Sequence, residues 1–182
     1  MYTLPGMTVE VRSLQVGCSR QLFDGIFAAG GITLSQVSVM TGLEPYLIQN
    51  WVKRGFVPSP VKRQYGRTHF ARIVIIRMLR DAMQIDRIFA LLDDMGGSLS
   101  GETMGVIGDD ELYHRYVDLL SGIHLFGTSA ELIESAVEHA VAEYDTAPHR
   151  QKHVCYMLKA MIYTHIACTA RRKAEELLAT LQ

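Results

Sequence analysis

The chain has 182 residues, 48% of them apolar and 20% charged, with a net charge of −1 at pH 7. That is enough apolar content for one or two small domains with a real core and no need of a staple. No apolar run approaches the roughly 18 residues of a membrane helix, and the start lacks the basic flank and apolar stretch of a secretory signal, so a cytoplasmic protein is expected. Three scattered cysteines, Cys18, Cys155 and Cys168, exclude a disulfide framework and agree with a reducing compartment.

Met1 to Gly17 alternates loosely, with Val9 and Val11 flanking Glu10, and reads as a short strand, an extended arm or a disordered tail. Ser19 to Ala29 predicts a helix with Leu22, Phe23, Ile26 and Phe27 on one face, stopped by Gly30-Gly31 and packed beside the unit that follows. Residues 1–31 thus form an N-terminal arm and helix.

Residues 32–95 predict a DNA-binding unit. In Thr33 to Gly42, Leu34, Val37 and Met40 recur at helical spacing; in Leu43 to Gly55, Leu47, Ile48, Trp51 and Val52 do. Gly42 accepts the positive φ that stops the first helix, and Pro45 suits the first turn of the second, where a missing N–H costs nothing. Two short helices joined by a glycine turn make a helix-turn-helix candidate. After Gly55, Phe56 to Phe70 cannot be helical across Pro58 and Pro60, so an extended excursion must form, a wing carrying Lys62, Arg63 and Arg67 with Tyr65 and His69 interleaved. Thr33 to Arg80 holds eight basic residues against the single Glu44, an excess of seven positive charges in a chain whose total is −1. The cationic surface is therefore local and would steer a polyanion to one face.

The order helix, Gly-Leu-Glu-Pro, helix with Trp51, Lys-Arg-Gly-Phe-Val-Pro, and a basic excursion ending Tyr-Gly-Arg-Thr-His-Phe resembles the winged-helix domain of the MerR family of bacterial transcription regulators, over about a third of the chain. Ile48 to Phe70, leading into the Ile-Val-Ile-Ile-Arg-Met-Leu helix, is similar to a group of small MerR-like bacterial proteins known as a domain of unknown function. The resemblance implies a DNA-binding, dimeric regulator. It puts Tyr46, Gln49, Asn50 and Lys53 on the groove-facing side of a recognition helix that ends in Arg54, and Lys62, Arg63, Tyr65 and Arg67 on the wing. MerR proteins usually carry arginines where Tyr46 and Gln49 stand and a tyrosine where Asn50 stands. Asn and Gln pair bidentately with adenine, at roughly 1–3 kcal/mol of discrimination each, so the departure bears on which sequence is read.

Beyond the wing, Phe70 to Met83 and Ile85 to Met95 predict two helices that close the back of the unit. Arg72, Arg77 and Arg80 are expected either on the solvated side of the first of these or on phosphate. Gly-rich residues 96–108 predict a linker, and 109–182 a helical dimerisation or partner-binding domain of three helices: Asp109 to Leu125, Ser129 to Tyr144 with a capping box from Thr128 and Glu131, and His149 to about Leu181. The last run, about 33 residues, would span roughly 50 Å, more than such a domain needs to cover itself, which points to a second chain. A satellite bundle packed only on its own winged helix is the alternative.

His149 with His153, and His165 with Cys168, have loose ligand spacing, but no Cys-x-x-Cys or His-Glu-x-x-His motif accompanies them, so no metal or other cofactor is expected. No phosphate loop or nucleophile elbow is present, which argues against an enzyme. The fold expected is mainly α, a MerR-like winged helix-turn-helix domain followed by a helical domain. The function expected is a homodimeric, sequence-specific regulator on double-stranded DNA, the alternative being a protein-interaction module on the same scaffold that leaves DNA alone.

Overall fold

The structure is a computed structural model that describes residues 1–96, 107–126, 129–142 and 148–180. It is mainly helical: β1 (Tyr2–Thr3) and β2 (Glu10–Val11) are followed by α1 (Cys18–Ile26), α2 (Leu34–Thr41), α3 (Pro45–Lys53), α4 (Arg67–Leu79), α5 (Ile85–Gly96), α6 (Asp109–Phe126), α7 (Ala130–Ala142) and α8 (Pro148–Ala179). Thr128, the expected cap of α7, and most of the expected linker lie outside the described residues. At the start of α7 the Ser129 hydroxyl accepts the Leu132 N–H at 3.3 Å.

The core is organised around α4. From Phe70 to Leu79 every α4 residue but Arg77 is buried. The unbroken run Ile73-Val-Ile-Ile76 is the reason: a helix apolar all round belongs in the middle of a domain. One side packs against α6, and α2, α5 and α8 take others. Hence the stretch expected as a linker does not divide two cores. Leu112, Tyr113, Tyr116 and Val117 of α6 are fully buried in the same cluster as Phe23, Phe70 and Ile73.

The interface of α6 with α1 is polar at its edge and aromatic at its centre. Arg20 donates to both carboxylate oxygens of Glu111, at 3.0 and 3.1 Å, and Phe23 stacks on Tyr113 with ring centroids 5.7 Å apart. Bidentate charge-assisted bonds of this kind fix orientation as well as contact.

The N-terminal segment, left open by its sequence, is a docked arm. Tyr2 pairs with Val11 and Thr3 with Glu10 in an antiparallel two-strand ribbon, and Leu4 and Met7 at its turn are buried. Gly6 makes this possible. It sits at φ 72°, and a Cβ there would lie 2.5 Å from the Val74 carbonyl oxygen, so only glycine lets the turn approach α4. Thr8 then donates its N–H to Met40 O and its hydroxyl to Val39 O, each at 2.8 Å, satisfying carbonyls at the end of α2.

Helix α8 is continuous over 32 residues, with Val154, Met157, Leu158, Met161 and Ile162 buried against the rest of the chain. From Thr169 to Thr180 every position is exposed, including Leu177 and Leu178. The final third of the helix therefore leaves the core. Among the described residues no helix is long and apolar enough to cross a membrane.

Candidate nucleic-acid interface

Helix α2 begins with a reciprocal cap: the Thr33 hydroxyl accepts Gln36 N–H at 3.4 Å and the Gln36 side chain accepts Thr33 N–H at 2.8 Å. It ends at Gly42, φ 66°, whose N–H reaches Ser38 O at 2.7 Å. The turn into α3 is then held by Ser38, whose hydroxyl donates to Leu43 O at 2.7 Å. Pro45 opens α3, and Gly55, φ 77°, closes it with Gly55 N–H to Val52 O at 3.0 Å and Phe56 N–H to Trp51 O at 2.9 Å. These two bonds are the pair that terminates a helix through a left-handed glycine.

With Ile48 and Trp51 buried, α3 turns Tyr46, Gln49, Asn50 and Lys53 outward, all exposed. Their spacing of three, one and three residues is that of one helical face. Arg54, at the end of α3, lies 4.3 Å over the Phe56 ring and 3.3 Å from Asp86.

The excursion after α3 is pinned at both ends. Ile32, just before α2, exchanges both backbone hydrogen bonds with Tyr65, at 2.9 and 2.8 Å. At the other end His69 Nδ1 accepts Gly66 N–H at 3.2 Å, which leaves Nε2–H to donate to Ser59 O at 3.3 Å. His69 is thus a clasp for the excursion. At the tip Gln64 N–H closes on Val61 O at 2.8 Å, and the two central residues, Lys62 and Arg63, both have positive φ, 49° and 63°. Two successive positive φ values define the tight hairpin turn that favours Asn-Gly. Here two long cationic side chains occupy the positions, at a conformational cost of about 1–2 kcal/mol each.

The nine expected contacts thus divide. Tyr46, Gln49, Asn50, Lys53, Lys62 and Arg63 are exposed, and among the described residues the three cations of this set have no ion pair. Arg67, expected on the wing, is instead the first residue of α4 and is held by Asp24 at 2.7 Å, while Arg54 is held by Asp86; both pairs are partly exposed, worth about 0–1 kcal/mol, and a stronger polyanion can displace them. Tyr65 is a correction. Only 4% of it is exposed, because the pairing with Ile32 turns the alternate side chain inward, and its burial raises the phenol's pKa.

Arg72 fits neither alternative raised for it, solvent or phosphate: it is buried against Asp109. Arg80 is exposed beside the Trp51 ring, 5.9 Å away. Among the described residues no cluster of three or more His, Cys, Asp or Glu could hold a metal; the side chain of His149 lies outside them.

A family model described as a domain of unknown function (DUF1836) matches residues 32–116, just under half of the chain. This supports the resemblance to that group of proteins. The match starts at Ile32, the residue that bridges to Tyr65, and continues past α5 into α6, the helix that packs on α4. No curated protein matches the chain, and no solved structure does.

Proposed function

We propose that the chain is a sequence-specific DNA-binding regulator of transcription, built on a MerR-like winged helix-turn-helix. In this reading α2 and α3 are the helix-turn-helix, α3 lies in the major groove, and Phe56 to Gly66 is the wing. Gln49 and Asn50 would read base edges, Lys53, Lys62 and Arg63 would bind phosphate, and Tyr46 would meet the backbone or a base methyl. The regulator acts without a cofactor and in the cytoplasm.

The observation that carries the reading is the hairpin tip. Lys62 and Arg63 occupy backbone positions that disfavour them, and both side chains are exposed without an ion pair among the described residues. A strained cation pair at the end of a pinned hairpin has no stabilising role in the fold, and backbone strain of this kind concentrates where a ligand is met.

Dimerisation is assigned to α8. Its exposed final third presents Leu177 and Leu178 beyond the core, and a helix that outruns its own domain buries such residues against a second copy. A two-fold dimer would give a pseudo-palindromic site.

Selection of bound fragments from genomic DNA tests the reading. Enrichment of a short motif with two-fold symmetry is expected, and no enrichment would leave the second reading, a protein-interaction module on the same scaffold. That reading has one observation of its own. Val39, 75% exposed on α2, borders an apolar groove of about 390 Å³ formed with Ile26, Ile32 and Met40.

A further inference from the structure

Arg77 is the one α4 residue between Phe70 and Leu79 that escapes full burial, and it does so into a cavity of about 640 Å³. The walls come from four parts of the chain: the turn of the N-terminal arm, the α2–α3 turn with the first turn of α3, the end of α4, and α8 near Cys168. Three guanidinium groups line it, those of Arg77, Arg80 and Arg172, against two carboxylates, Glu44 and Asp81.

Arg80 lies over the Trp51 ring, whereas Arg77 and Arg172 have no ion pair among the described residues. Among the described residues Arg77 makes no ion pair and no side-chain hydrogen bond, although its guanidinium is about half-buried. Burial lowers its pKa most, Asp81 raises it, and Arg80 and Arg172, each a smaller influence than Asp81, lower it. Three guanidinium groups against two carboxylates leave the concavity with an excess of one positive charge, which an entering anion would meet. A volume of this size lies within the range of small-molecule sites.

We propose that this cavity is a binding site for a small anionic ligand, a phosphate or carboxylate compound held by Arg77 and Arg172. Arg77 supplies the inner guanidinium, and Arg172, exposed on α8, closes from the other wall. Tyr46 and Gly42 line the same space, so an occupant touches both the start of α3 and the projecting helix. The assignment of the site does not depend on DNA binding.

The test is a titration of the full chain with inorganic phosphate and, separately, acetate, followed by two-dimensional NMR at constant ionic strength set with sodium chloride. Saturable shifts confined to the amides of Gly42, Tyr46, Arg77 and Arg172 are expected with at least one of the two anions. Arg77→Gln and Arg172→Gln should each weaken the apparent affinity about tenfold or more, and Lys62→Gln with Arg63→Gln at the hairpin tip should leave it unchanged. Arg172 is exposed, so its variant keeps the test valid even if Arg77→Gln does not fold. Shifts that chloride reproduces, shifts absent with both anions, or shifts abolished by the tip variants and not by the cavity variants would overturn the proposal. The last outcome would mark the arginines as part of a general polyanion surface.

Discussion

Arg72 of α4 and Asp109 in the first turn of α6 form an ion pair at 3.3 Å with side chains only 3% and 5% exposed. The pair ties the central helix to the helix on the far side of residues 97–106. Burial pushes the Asp109 carboxyl up to about 6, against the pull of Arg72, and the start of a helix is where a carboxylate is favoured. Arg72 Nε and Nη2 have no hydrogen-bond partner among the described residues.

Removing one member should therefore hurt far more than removing both. Asp109→Asn leaves a buried guanidinium uncompensated and is expected to cost about 3–5 kcal/mol, whereas Arg72→Met with Asp109→Leu should be neutral or stabilising by about 1–4 kcal/mol. Urea unfolding of the three proteins checks this. Equal losses for the single and double variants would show that the pair stabilises the fold on balance.

The pH response has a second contributor. His114 Nδ1 meets the Ser19 hydroxyl at 2.9 Å inside the core, and burial, with Arg20, lowers the imidazole's pKa despite nearby Asp110, Glu111 and Asp118. A folded-state pKa below the unfolded value of about 6.5 means the unfolded chain takes up the proton first, so this contribution is lost as pH falls below about 6.5. Asp109 has the opposite sign. Its folded value of about 6 exceeds the unfolded one, so its contribution is full below roughly pH 4 and is lost as pH rises through 6. Stability measured from pH 7 to 5 should fall in the native protein relative to His114→Gln; parallel curves would contradict the assignment.

At the hairpin tip, stability and binding should separate. Lys62→Asn with Arg63→Gly gives the turn the residues it favours and is expected to raise stability by about 1–2 kcal/mol. DNA binding should weaken on all sequences alike, with the salt dependence falling by about one unit of slope per lost phosphate contact. Asn50→Ala, in contrast, should relax preference at one base position. A double variant that is both more stable and fully active would remove the tip from the interface.

Truncation after Arg172 removes the exposed end of α8 with Leu177 and Leu178. Sedimentation equilibrium should report a dimer for the full chain and a monomer for the truncated one, with thermal unfolding little changed at matched concentration. A truncated protein that still dimerises would move the interface elsewhere.

Much of the helical frame could be read directly from spacing. The helix expected from Asp109 to Leu125 runs Asp109–Phe126, and the last, expected from His149 to about Leu181, runs Pro148–Ala179. Gly42 carries the positive φ expected of it, and Gly55, where the next helix was expected to end, carries one too. What could not be read was pairing in space. Tyr65 looked like a basic-segment aromatic because its partner, Ile32, lies 33 residues earlier. Arg72 looked like part of a solvated charge run because Asp109 lies on a helix that composition assigned to another domain. The Ile73-Val-Ile-Ile76 run was the available signal that α4 is enclosed. The Arg77 cavity had none, since its walls meet only when the N-terminal arm docks.

The central claim is that the exposed cations of α3 and the hairpin neutralise DNA phosphates. It is tested most directly by the affinity of the full chain for a selected duplex, measured by fluorescence anisotropy across salt concentrations. If four to eight phosphates are neutralised per dimer, log K should fall against log salt with a slope of roughly −4 to −7. A slope near zero, or no binding at the lowest salt, would contradict the account.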